Sequence, residues 1–263
     1  MAIALMLFIW RAKSMGVCRR TAFKSPASCR KIVKVEPSFK PVADQAVLVT
    51  FADTISAEAH ETVLALDKAL SVNPIKGVIE TVPALVNLLV SFDPIVTDHV
   101  QVQSGVKDLL KALVVQKKSG AARRVQVCYD PPFAPDLDVV AQATGLSSDA
   151  VINAHLSGEY DVLMYGFAPG YAYLSGVLAS IQVPRKPTPV RDVAAGSVII
   201  AGPQCLVTTL NMPTGWSIIG RSPTKVLTGD PDAPFFFDVG DRVTFQRIDR
   251  SMFDQAQKDA AHG

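Results

Sequence analysis

Cysteine is scarce in this sequence and its four copies, Cys18, Cys29, Cys128 and Cys205, lie far apart. No C-x-x-C spacing joins any of them, which argues against a disulfide framework and against a structural zinc site. Histidine is as thinly spread (His60, His99, His155, His262), no H-E-x-x-H occurs, and no metal is expected. There is no G-x-x-x-x-G-K-[ST] loop for a nucleotide phosphate, no G-x-S-x-G elbow, and no spacing from which a Ser/His/Asp arrangement follows. The opening apolar run, MAIALMLFIW, is too short to span a bilayer, and positive charge follows it rather than precedes it, the wrong order for a secretory signal. These absences describe a reduced, intracellular protein without a sequence-visible metal.

Charge is unevenly divided. The formal net charge is +2, yet residues 1–35 hold eight Lys/Arg and no acid, so the remaining 18 basic residues face 24 acidic ones. A body of that sign gives no footing for nucleic acid or an anionic membrane. We expect 1–35 to be a leader, disordered or removed; it resembles a transit peptide, and a start at Met15 explains it equally well. The expected compartment is the cytoplasm, or an organelle if the leader is a genuine transit peptide.

Half of the chain is apolar, and regular patterning begins near residue 40. The runs QAVLVTF, IKGVIETV, ALVNLLVSF (split from its predecessor at Pro83) and RRVQVCY read as strands. SAEAHETVLALDKAL and DHVQVQSGVKDLLKALVVQ read as amphipathic helices. The order β-α-β-β-α-β predicts a ferredoxin-like α/β domain over 36–130, with His60 on the solvated side of its helix. YDPPFAPDLD then marks a connection. Over 131–250 two short helices follow, the first with an Asp cap and the second with a Ser cap. Short β-rich runs (YDVLMYGF, GSVIIAG, CLVTTL, WSIIG, DRVTFQRI) with Gly/Pro punctuation then predict a β-barrel. Residues 251–263 read as a frayed polar tail, and the fold class is α+β.

The densest signal is YGFAPGYAYLSG (165–176), a rigid, aromatic, uncharged stretch. Downstream, Pro169, Pro184, Pro187 and Pro189 stiffen loops that hold Arg185 and Arg191, and Trp216 adds a flat wall. An Arg-bearing rim around an aromatic pocket suits a small planar carboxylate or amide, because guanidinium binds carboxylate bidentately. Cys205, with no neighbouring His or cationic pair visible in sequence, reads as a small buried hydrophobe. His155, at the end of a short helix, fits either acid–base work or a contact with free helix carbonyls.

The run from Tyr160 to Gly176 resembles the Y-x-V-x-x-x-G-F-x-P-G-F-x-Y-L-x-G motif of the allophanate hydrolase subunit 1 family. That family includes the B-type component of bacterial 5-oxoprolinase, an inhibitor of a sporulation histidine kinase, and a relative in the carboxyltransferase domain of urea carboxylase. VAAGSVIIAGPQ, GWSIIGRSP and GDRVTF match in the same order, so the likeness spans roughly 40–248. It implies an α/β domain followed by a cyclophilin-like barrel, pairing with a homologous barrel partner (the C-type component of 5-oxoprolinase, or allophanate hydrolase subunit 2) and in 5-oxoprolinase also with a third component. ATP would be used by that complex, with no cofactor in this chain and little turnover by the chain alone. The resemblance implies His155 and Arg185 as catalytic candidates, with Phe167, Pro169, Gly170, Gln204, Trp216 and Arg221 binding substrate. Urea or allophanate carboxyl transfer is an alternative, with biotin on another chain because no A-M-K-M motif occurs here. Inhibition of a histidine kinase is a non-enzymatic alternative. The family's Q-T-G-[IV]-Y-P is here QCLVTT, with Cys205, Leu206, Thr208 and Thr209 as departures; Val190 stands where a second arginine is usual, and P-G-G-W is P-T-G-W. These changes point to a different substrate or a lost activity.

Overall fold

The computed structural model describes residues 36–113 and 120–262, which fall into two compact units divided between those stretches. The expected leader at 1–35 lies outside the described residues.

In the smaller unit, strands Ser38–Val42 (β1), Ala46–Thr50 (β2), Val78–Ala84 (β3) and Asn87–Phe92 (β4) form an antiparallel sheet in the order β1-β2-β4-β3. Alternation along β2 and β4 turns Val47, Val49, Leu88, Val90 and Phe92 to one face. Helices Ala57–Val72 (α1) and His99–Ala112 (α2) cover that face with Val63, Leu66, Leu70, Val102 and Val106. Both helices start on the caps their sequences offer: Ser56 accepts from Ala59 N at 3.2 Å and Asp98 from Gln101 N at 2.8 Å. Pro83 sits in β3, an edge strand where a missing N–H is tolerated. His60 corrects an expectation. It is 8% exposed rather than solvated, with Nδ1 2.8 Å from Leu85 O.

Ala122–Cys128 (β5), expected as the last strand of this first sheet, instead enters the larger unit. Its local pattern suits any half-buried strand, and the edge position beside β2 is already occupied by β1. There β5 lies parallel to Arg242–Ile248 (β13), in register from Ala122↔Arg242 to Cys128↔Ile248. This pairing closes a barrel with Tyr160–Tyr165 (β6), Ala172–Ser175 (β7), Ser197–Ala201 (β9), Gln204–Val207 (β10) and Ser217–Arg221 (β12). The strand order is β10-β7-β6-β13-β5-β12-β9, with β9 returning to β10.

Strand alternation gives the barrel two apolar layers. Val125, Val127, Val162, Leu174, Val198, Ile200, Val207, Ile219 and Val243 fill the inner core, which also takes Val140, Val151 and Ile152 from helices Leu137–Thr144 (α3) and Ser148–Ser157 (α4). Ile199, Ala201, Leu206, Ile218, Tyr171 and Trp216 form a second cluster on the other face of the same strands. Val193 and Met212 join it from a two-stranded sheet, Val190–Val193 (β8) with Met212–Thr214 (β11). Each large side chain sealed in these layers contributes about 1.5–3 kcal/mol.

The expected frayed tail is a helix, Arg250–His262 (α5). Asp249 caps it by accepting from Met252 N at 2.8 Å, and that bond pulls its carboxyl below the ordinary range. Phe253, 1% exposed, anchors the helix against Phe133, Cys128 and Ile248. With Phe253 as the one buried side chain among the described residues of this polar helix, little periodicity is left to read.

Candidate functional site

β6 and β7 make a hairpin whose loop is the proline- and glycine-bearing part of the aromatic motif. Gly166 N donates to Tyr171 O, Ala168 N to Gly166 O and Tyr171 N to Ala168 O, all at 2.8–3.1 Å. The loop therefore holds its shape by its own backbone. Gly170 has φ +69, and an added Cβ there would meet Leu227 Cδ2 at 2.8 Å. Phe167 adopts φ +69 without being glycine and is 68% exposed at the loop tip. A bulky residue in the left-handed region is uncommon and costs roughly 1–2 kcal/mol.

From that loop an aromatic row runs across the outer face of the barrel. Phe167 and Tyr171 are 5.5 Å apart by ring centroid, Tyr171 and Tyr173 6.3 Å, and Tyr173 and Trp216 6.0 Å, each edge-to-face. The row ends at Arg185, whose guanidinium lies 5.4 Å from the Trp216 ring centre. Burial raises the Tyr171 phenol to about 12 and raises that of Tyr173, although the charge of Arg185 works against the latter. Tyr171 and Trp216 are themselves buried, so what the row presents outward is Phe167, part of Tyr173 and the exposed Arg185 guanidinium, a group of the geometry that can take a carboxylate bidentately. Gln204 shares this outer face by alternation with Leu206, while Cys205 points into the barrel.

A polar groove of about 420 Å³ lies beside the loop. Its walls include Thr208, Thr209, Ser222, Thr224, Lys225 and Gln257. Thr209 Oγ1 donates to Pro169 O at 2.9 Å, so groove and aromatic loop share a wall without forming one cavity. Thr208, buried, donates to Ala194 O and accepts from Ser197 N, both at 2.9 Å. The departures at 206 and 208 are thus built into the fold: Leu206 fills the outer apolar layer and Thr208 ties the turn before β9.

The residues expected at the site separate into groups. Phe167, Trp216, Arg185 and Gln204 belong to the outer face, and Pro169 and Gly170 turn toward the groove. Arg221 lies behind the groove wall, away from the aromatic row: its Nε donates to the O of Ala195, a groove residue, at 3.3 Å, and its guanidinium rests over Phe133 and Phe253. His155 is also elsewhere. It is fully buried, with Nδ1 2.7 Å from Tyr129 Oη and Nε2 3.5 Å from Cys205 Sγ, and its ring packs on Phe245. Desolvation lowers its pKa to about 3, and burial pushes the Cys205 thiol far up. Cys205 is buried, as expected, and its histidine neighbour, 50 residues away in the chain, is enclosed with it. The groove residues Lys225, Thr224 and Gln257 were missed, because chain segments distant in sequence bring them together. Among the described residues no group of three or more His, Cys, Asp or Glu could hold a metal ion, and no helix is long and apolar enough to cross a membrane.

Residues 37–237 match the family model for the carboxyltransferase domain, subdomain C and D, and the chain belongs to that family. Within it, the chain is similar to the B-type component of 5-oxoprolinase from Bacillus subtilis (strain 168), 33% identical over 225 residues that make up 81% of this chain and 94% of the relative. The solved structure of TTHA0988 superposes with a TM-score of 0.69 at 32% identity, over 78% of this chain and 40% of that one. The Kluyveromyces lactis urea carboxylase shares the fold, with a TM-score of 0.70 at 15% identity over 90% of this chain and 23% of that one.

Proposed function

We propose that this chain is the B-type component of an ATP-dependent 5-oxoprolinase, acting with a homologous barrel partner and a third component to open 5-oxoproline to glutamate in the cytoplasm. The observation that carries this reading is the 33% identity to the B-type component of a bacterial 5-oxoprolinase, which extends over 94% of that relative's length. The outer-face geometry suits the substrate. 5-Oxoproline is a small flat lactam bearing one carboxylate; Arg185 would take the carboxylate and Trp216 with Tyr173 would flank the ring. The role of this chain is then to bind and orient, while ATP is handled by its partners. Neither His155 nor Cys205 enters this scheme.

We read the smaller unit as a variant of the ferredoxin-like split, in which β1 takes the edge beside β2 where a final strand would lie, and the barrel as cyclophilin-like.

The test is co-expression of the full chain with its two partner proteins, followed by measurement of 5-oxoproline-dependent ADP and glutamate formation. Formation of both, dependent on this chain, is expected. A stable complex that releases neither in response to 5-oxoproline overturns the reading.

A further inference from the structure

Helix α3 opens on Asp136, yet the Asp136 carboxylate makes no cap bond to its own helix. An aspartate at this position ordinarily accepts from the N–H two or three residues on. Here Oδ2 is engaged elsewhere. It accepts from Lys186 Nζ at 2.5 Å and from Ile218 N at 2.7 Å, while Asp136 N donates to Ile218 O at 3.0 Å. Lys186 N in turn donates to Gly215 O at 2.6 Å. Segment 215–218 is thus held at both ends, with Trp216 between, and the residue after Arg185 is fixed through backbone and side chain alike. The Lys186 and Asp136 side chains are 19% and 16% exposed, so water and salt screen their attraction only weakly. A helix start that forgoes its own cap for a distant loop marks a place where a requirement other than local stability shapes the fold.

We propose that Asp136 is a positioning residue for Arg185: through Lys186 and the backbone of Ile218 it holds the guanidinium over Trp216, in the geometry that receives a substrate carboxylate. Asp136 acts without touching Arg185. Pro184 and Pro187 restrict the backbone on either side of the Arg185–Lys186 pair, so anchoring Lys186 leaves little freedom for the arginine beside it. The substrate part of the inference rests on the 5-oxoprolinase reading; the clamp itself does not.

The first arm of the test needs no substrate. The sequence has two tryptophans, so full-length chain carrying Trp10→Phe retains Trp216 as its one indole reporter. Arg185→Ala defines the emission and acrylamide quenching of an uncovered ring. Asp136→Asn and Lys186→Met are each expected to move both signals most of the way to that reference, and Lys186→Arg, which keeps the ion pair, to stay near the parent. Lys186→Met preserves the Asp136–Ile218 bonds and so keeps the test open should Asp136→Asn fail to fold. In the assembled complex the same two variants are expected to raise KM for 5-oxoproline about three- to ten-fold with kcat within about two-fold. Unchanged Trp216 signals in the folded variants overturn the proposal, as does an active complex whose KM ignores both substitutions. Shifted signals in a chain whose complex never turns over 5-oxoproline support the clamp and overturn the substrate instead.

Discussion

His155 Nε2 faces Cys205 Sγ across 3.5 Å inside the barrel, and neither residue is exposed to solvent. The imidazole is kept neutral there, its pKa lowered to about 3 by burial. In the unfolded chain it titrates near 6.5. Below that pH the unfolded state gains a proton that the folded state refuses. The stability associated with His155 is therefore complete above about pH 6.5 and is lost progressively as pH falls toward 3. Urea unfolding at pH 8 and pH 5 should differ by about 2 kcal/mol from this residue, and His155→Gln should remove that part of the difference. Folded protein at pH 8 should also leave Cys205 unmodified by iodoacetamide, as mass spectrometry would show.

Asp241 is 3% exposed and is satisfied by three donors: Arg123 Nε at 2.7 Å, and Ala121 N and Asp238 N each at 2.9 Å. It fastens the start of β13 to the approach to β5. Asp241→Ala orphans all three donors and should cost about 3–5 kcal/mol. Arg123→Ala should cost less, because Arg123 is partly exposed. The double variant should cost less than the sum of the two, and denaturant titration of all three proteins checks it.

Gly176 and Gly202 both have positive φ, at +112 and +51, but different surroundings. A Cβ on Gly176 would lie 2.0 Å from the backbone oxygen of Glu159, whereas one on Gly202 would meet nothing within 4 Å. Gly202→Ala should cost about 1 kcal/mol, from backbone strain alone. Gly176→Ala should cost more than about 3 kcal/mol, because backbone must move. Thermal unfolding of the two variants separates strain from collision.

On the proposed function, Arg185→Ala in the assembled complex should raise KM for 5-oxoproline about ten-fold or more, by removing the charged hydrogen-bonding partner proposed for the carboxylate. Arg185→Lys should recover only part of that loss, since an ammonium offers neither the fork nor the flat stack on Trp216. Initial-rate kinetics with ATP saturating would decide it.

Much of the fold was legible because burial left a pattern. β6, β9, β10, β12 and β13 read as apolar runs between glycines and prolines. β8 and β11 did not, being only four and three residues long. β5 reads as a strand but its sheet does not, since its partner β13 lies far along the chain and local alternation is blind to that. At the site, the aromatic loop and Arg185 stood out by composition. The burial of His155 did not, because it is set by Tyr129 and Cys205, 26 and 50 residues away. Lys225 and Gln257 come together only once α5 has formed.

The parallel pairing of β5 with β13 also governs the order in which this chain can mature. Its two strands are separated by some 120 residues, as is the Ala121–Asp241 bond beside them. During synthesis the sheet of residues 36–113 has every partner it needs early. The barrel stays open along one seam until residue 248 has left the ribosome, and until then β5 waits with an unpaired edge. The barrel that carries the aromatic face therefore closes only after the sheet of residues 36–113 is complete.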